Sequence, residues 1–166
     1  MDAAKLPGAA VVSRAPAVDV ELARTVAASV VDPEIPVLTI ADLGILREVS
    51  WDHGRVRVTI TPTYSGCPAM GQIEDDLRSA LIGAGFTEIE IATIHHPAWS
   101  SDWITAGGRE KLAAFGIAPP LPDGVVLCPR CQSSTPRLVS RFGSTACKAL
   151  MVCSSCGEPF DYFKEH

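Results

Sequence analysis

The sequence predicts an α+β protein of two modules. The first is a small mixed three-stranded sheet with helices in the order αββαβα, and the second is a β-rich module built on four cysteines. Three observations carry this. Apolar spacing switches between a period near four and a period of two across residues 18–116. A segment with three prolines and a glycine follows over 117–126. Behind it, Cys128-Pro-Arg-Cys131 and Cys153-Ser-Ser-Cys156 stand 21 residues apart.

Taken in order, residues 1–17 are Ala/Pro-rich and read as a flexible lead-in. Asp19 is placed to cap a helix reaching about Val31, with Val18, Leu22, Val26 and Val30 on one face. Pro33 and Pro36 end it. Ile45 to Trp51 is a strand, Asp52-His53-Gly54 a turn, and Arg55 to Thr61 a strand with Val56, Val58 and Ile60 on one face. A helix follows from about Pro68, with Met70, Ile73, Leu77, Ala80 and Leu81 at helical spacing and Gly83 and Gly85 at its end. Thr87 to Ile94 is the third strand, reached by a right-handed crossover and therefore parallel to the second. Ser101 caps a last helix running to about Phe115. Residues 117–126 read as an extended connector, because proline removes a backbone donor and fixes φ. Residues 127–166 form the second module, with strands over Leu138 to Phe142 and Ala149 to Val152.

The apolar fraction of 47% supports a real core in a chain of 166 residues. A net charge of −5 argues against a nucleic-acid partner, despite Arg130, Arg137, Arg141 and Lys148 in the tail. No run approaches the roughly 20 apolar residues of a membrane span. The N-terminus is too weakly apolar for an export signal, so a cytoplasmic location and reduced thiols are expected. No phosphate loop, Ser-His-Asp arrangement or H-E-x-x-H stands in the chain, which disfavours a self-contained hydrolase, kinase or dehydrogenase.

Two thiolates two residues apart can grip one metal from a tight turn, and two such turns complete a tetrahedron. Cys128, Cys131, Cys153 and Cys156 therefore read as a zinc site of the ribbon type, against a weaker alternative of buried thiols or a disulfide. Cys147 is left over: a spare buried thiol, a replacement for one of the four, or a sign that the tail holds an iron–sulfur cluster, since four thiolates suit both. Cys67 lies in Ser65-Gly66-Cys67-Pro68, at a strand-to-helix junction. Helix N–H groups there favour a thiolate, which is both nucleophile and soft metal ligand; a packed, inert cysteine is the alternative. Asp32 and Glu34 stand beside Pro33 and Pro36, and Asp42 follows. They either present carboxylates to Cys67 or are solvated charges on a stiff connector. His95 and His96 follow the third strand, as metal ligands or as surface residues, and Trp99 and Trp103 as half-buried rings or a partner surface.

The run DPEIPVLTIADLGILREV (Asp32 to Val49) with TPTYSGCPAM (Thr61 to Met70) resembles the small domain of the SufT-like metal–sulfur cluster assembly factors. With HHPAWSSDWITAGGREKLAAFGIAPP (His95 to Pro120) and the FGSTACKAL and CSSCGEPFDYFK runs, the whole resembles an accessory-protein family of bacterial phenylacetate degradation, from about Val31 to the C-terminus. The resemblance implies a maturation factor for the di-iron phenylacetyl-CoA epoxidase system, assisting iron or iron–sulfur cluster assembly and without independent catalysis. Its partners would be the epoxidase components, above all the reductase, with a homodimer left open. It makes Cys67 the reactive or cluster-binding thiol and the segment of Asp32 and Glu34 a second hallmark. A structural or regulatory subunit of the same complex is the alternative role. The family tail often carries a further cysteine after DYFK; here Lys164, Glu165 and His166 follow, so if that cysteine is a ligand this chain uses Cys147 or His166 in its place, or manages without.

Overall fold

The computed structural model describes residues 16–165, with side chains from Asp19 onward. All but the last two residues of the expected lead-in over 1–17, and His166, lie outside the described residues. Helix α1 spans Pro16–Ala28, so Asp19 sits inside its first turn rather than at its cap, and the helix ends three residues before Val31. Proline is tolerated in a first turn, where its missing N–H would be unpaired anyway. Beyond the helix, Val31 bridges Thr39, and the N–H of Asp32 donates to the carbonyl of Leu38 at 2.9 Å. The backbone groups that would have extended the helix close this loop instead.

Strands β1 (Leu46–Asp52) and β2 (Arg55–Ile60) are antiparallel, and β3 (Ile89–Thr93) lies parallel to β2, giving the order β1-β2-β3. His53 (φ 47°) and Gly54 (φ 84°) are both left-handed, as a tight two-residue hairpin turn requires. Helix α2 (Ala69–Gly83) is the crossover, and its Ile73, Leu77 and Leu81 are fully buried beside Val56, Val58 and Ile60. The expected single helix from Ser101 divides in two. Ser100 caps a short 3-10 turn over Ser101–Trp103, Ile104 is extended, and Thr105 caps helix α3 (Ala106–Ala114) by accepting the N–H of Gly108.

The second sheet has four strands: β4 (Ile117–Ala118), β5 (Pro136–Ser140), β6 (Lys148–Cys153) and β7 (Pro159–Phe163), in the order β4-β7-β6-β5. Two of these were not expected. Ile117 and Ala118, at the head of the Pro-rich segment, pair in parallel with Asp161 and Tyr162 of β7. The chain thus joins the second sheet before its prolines begin. The two modules also share a core: Cys147 and Phe163 are buried with residues of the first module, and the Phe163 and Trp99 rings meet at 6.0 Å. No helix among the described residues is long and apolar enough to cross a membrane.

Candidate metal centre and thiol–carboxylate crevice

The four cysteines of the tail come together. Their sulfurs all lie within 4.8 Å of one another, and Cys147 is not among them. The Cys128–Cys156 and Cys131–Cys153 sulfurs are 3.8 and 3.6 Å apart. A metal–sulfur bond of about 2.3 Å implies a tetrahedral edge of about 3.8 Å, so the set fits a four-thiolate ion. All six cysteines are free. Each pair sits in a matching turn. The N–H of Gln132 donates to Cys128 at 2.8 Å and that of Gly157 to Cys153 at 2.9 Å. The residue after each second cysteine is left-handed, Gln132 at φ 60° and Gly157 at φ 76°. Backbone N–H groups of Cys156 and Ser155 help pull the Cys153 thiol down to about 6. Cys131 receives the N–H of Ser133, yet its neighbours Cys156, Cys153 and Cys128 push it up to about 12. Without a cation, four thiolates cannot gather in one place.

The second constellation draws on three stretches of chain. Asp32, Glu34, Cys67 and Cys147 line one narrow crevice over Leu43, Ile45 and Phe163. Its volume is about 10 Å³, the room of a single water or ion. Asp32 is 6% exposed and is held by its own turn, with Oδ1 accepting the N–H groups of Glu34 (2.9 Å) and Ile35 (2.7 Å). The loop after it is locked by Thr39 and Asp42, whose side chains each accept the other's backbone N–H, and by Lys111 on Asp42 at 2.7 Å. Trp99 donates from Nε1 to the Leu43 carbonyl at 2.9 Å, fixing the crevice floor. Cys67 is half-buried, behind a turn that Gly66 makes at φ 84°.

The electrostatics differ from the expectation for a helix terminus. Burial pushes the Cys67 thiol up; the N–H of Ala69 opposes this, while the Glu34 and Asp32 carboxylates add to the rise. Burial likewise raises Asp32 against its two backbone donors, and raises Glu34 with help from Asp32. Tyr64, beside Cys67, is pushed up to about 12, first by burial and then by the Cys67 thiolate. Helix N–H groups favour a thiolate, but here desolvation and two carboxylates outweigh them.

Cys147 is 4% exposed. Its sulfur lies 3.0 Å from Thr145 Oγ1 and 4.0 Å from Glu34 Oε2. The buried Lys148 beside it reaches Asp161 at 3.5 Å and also bears on Asp32 and Glu34. Sequence reasoning singled out Cys67, Asp32 and Glu34 but considered Cys147 only with the tail, counted Lys148 only as tail charge, and gave Tyr64 no role. No spacing signal joins residue 34 to residue 147. Asp42 faces Lys111 and not the crevice. His95 and His96 are exposed, and His95 lines a separate cleft with Thr61 and Trp99. Trp99 is buried rather than half-buried. Trp103 lies under the Arg47 guanidinium, 3.5 Å from the ring centroid.

Comparison with known proteins agrees with this two-part architecture. Residues 118–164 match the family described as PaaD zinc beta ribbon domain, and residues 23–91 match Iron-sulfur cluster assembly protein. The chain is 50% identical over 141 residues to a putative 1,2-phenylacetyl-CoA epoxidase component of Escherichia coli, covering 80% of this chain and 85% of that protein. It is 36% identical over 92 residues to the Fe-S protein maturation auxiliary factor YitW of Bacillus subtilis, covering 53% of this chain and 84% of the relative. A crystal structure of a domain of unknown function, DUF59, from Bacillus anthracis superposes with a TM-score of 0.54 at 27% identity, over 58% of this chain and 93% of that one. The chain belongs to the iron–sulfur cluster assembly protein family, in the branch that carries a PaaD zinc beta ribbon.

Proposed function

We propose that this protein is a cytoplasmic accessory factor that assists iron or iron–sulfur cluster assembly for a phenylacetyl-CoA epoxidase system. Cys67 is the thiol that holds or hands over the cargo, and the ribbon carries a resident zinc. One observation carries the reading: the neighbouring carboxylates of Asp32 and Glu34 line a single crevice with Cys67, which lies far beyond them in sequence. The names of the relatives, an epoxidase component and an iron–sulfur maturation factor, point the same way. Zinc in the ribbon supplies structure and no chemistry. The chain's own residues do the rest. Asp32 and Glu34 supply negative charge for a cation. Cys67 gives up its proton as the cargo binds, because the cargo's positive charge reverses the effect of the neighbouring carboxylates. The edge strand β5 and the turn beyond it expose Leu138, Val139 and Phe142, apolar side chains at a sheet edge suited to docking on a client such as the reductase.

The test is Cys67→Ser in cells that depend on this protein for epoxidase activity. Iron and acid-labile sulfide in the purified reductase, and epoxidase activity, are expected to fall together. Full cluster content and full activity would overturn the reading. A purely structural role in the complex would then replace it, in which Cys128→Ser breaks the complex while Cys67→Ser is silent.

A further inference from the structure

We propose that Cys147, delivered by the ribbon module, joins Cys67 and Glu34 as a third ligand of one divalent metal ion, so that the cargo site is completed only when the two modules pack together. This rests on the reading of Cys67 as the cargo thiol and names the cargo as a single ferrous ion.

Four observations support it. Cys147 takes no part in the ribbon's four-thiol set. Its sulfur instead stands 4.0 Å from Glu34 Oε2, although 113 residues separate them. Cys67 and Asp32 line the same crevice. The crevice has room for one ion and not for a cluster or an organic ligand, since about 10 Å³ holds a single water. Two thiols and two carboxylates are a costly set to bury together without a cation. Lys148 offsets only part of that charge, because it is shared with Asp161. A mixed set of thiolate and carboxylate suits an ion of borderline softness such as iron(II). Among the described residues only the ribbon cysteines hold their ligand atoms within 4.8 Å of one another, so binding at this second set requires its side chains to draw closer around the ion. Each thiol forms one sulfur–metal bond and loses one proton to solvent. One divalent ion is taken up, two protons leave, and no oxidation state changes.

The experiment uses the full chain with its ribbon already filled with zinc, kept free of oxygen and titrated with cobalt(II) as the probe. Wild type is expected to bind one cobalt per chain with thiolate-to-cobalt charge-transfer absorption while retaining its zinc. Cys147→Ser and Cys67→Ser should each weaken cobalt binding at least about tenfold and reduce that absorption. Glu34→Gln, at a half-buried position, tests the same site with little risk to folding and should also weaken binding. Wild-type affinity and absorption in Cys147→Ser would overturn the proposal, as would a wild-type chain that takes up no cobalt beyond its zinc. The functional reading fails separately. If Cys67→Ser abolishes client maturation while Cys147→Ser binds cobalt like wild type, the function stands and the composite site falls. The reverse pattern keeps the site and removes the function.

Discussion

Gly44→Ala should destabilise the protein by an amount the local geometry sets. Gly44 has φ +68°, and a Cβ built there would lie 2.6 Å from both the Cβ and the carbonyl oxygen of Trp103. Neither atom can swing away on a side-chain rotation. The Trp103 backbone is held by its N–H on the Ser100 carbonyl at 3.0 Å, and its ring lies under Arg47. The left-handed backbone alone costs an alanine roughly 1–2 kcal/mol. Forcing apart a close-packed contact adds about 1–3 kcal/mol. The sum is about 2–5 kcal/mol, which lowers Tm by roughly 4–20 °C in a chain of this size. Gly71→Ala is the matched control. It lies in α2 with nothing within 4 Å of the added Cβ, and should stabilise by up to about 1 kcal/mol. Urea unfolding of the metal-loaded chains measures both. Gly44 also lies between Leu43 and Ile45 on the crevice floor, so Gly44→Ala should weaken cobalt uptake as well. A loss under about 0.5 kcal/mol at unchanged m-value would refute the claim that Trp103 closes rigidly over this loop.

Two further outcomes are expected. Cys128→Ser should empty the ribbon of zinc, read by metal analysis, and unfold it. Among the described residues its separate buried core is Ala118, Cys128, Met151, Cys153 and Phe160, two of them from the four-thiol set, and metal binding in such modules contributes on the order of 10 kcal/mol of folding energy. Release of Phe163 should then red-shift the Trp99 emission; an unchanged spectrum would mean the modules stay docked without metal. Lys111→Met should cost about 1 kcal/mol or less at pH 7, because the lysine is half exposed. Partial burial raises the Asp42 carboxyl, but Lys111 and Thr39 outweigh it and hold it below its ordinary value of 3.8. A depressed carboxylate stabilises above its unfolded pKa and loses that contribution as pH falls through the folded value. The difference between variant and wild type should therefore close as pH drops below the usual carboxylate range, and a constant difference would exclude the ion pair as its source.

Elements whose signal is local were legible in the sequence. The hairpin at His53-Gly54, helix α2 and the first sheet follow from turn chemistry and apolar spacing, and the structure places them within a residue or two of expectation. The division of the last helix was not legible, because Ser100 and Thr105 are both competent caps and nothing local says that Ile104 is extended between them. Strand β4 was hidden because two residues make no periodicity, and only pairing with β7 defines them as a strand. Strand β7 was missed although its PFDYF run is rich in aromatic residues.

By itself the sequence singled out the two ribbon cysteine pairs, since a C-x-x-C turn brings two thiols to one point whatever surrounds it; that the two pairs meet and Cys147 stays apart was decided by the fold. It also determined the order of the first module and the suspicion attached to Cys67, Asp32 and Glu34. Only the tertiary structure decided what the spare thiol faces and which way the Cys67 thiol is pushed. Both depend on groups remote in the chain. Cys147 meets Glu34 because the ribbon packs Phe163 against Trp99. Cys67 is raised because desolvation and nearby carboxylates add up over everything folded around it, while the helix terminus that sequence reveals is one local contribution among them.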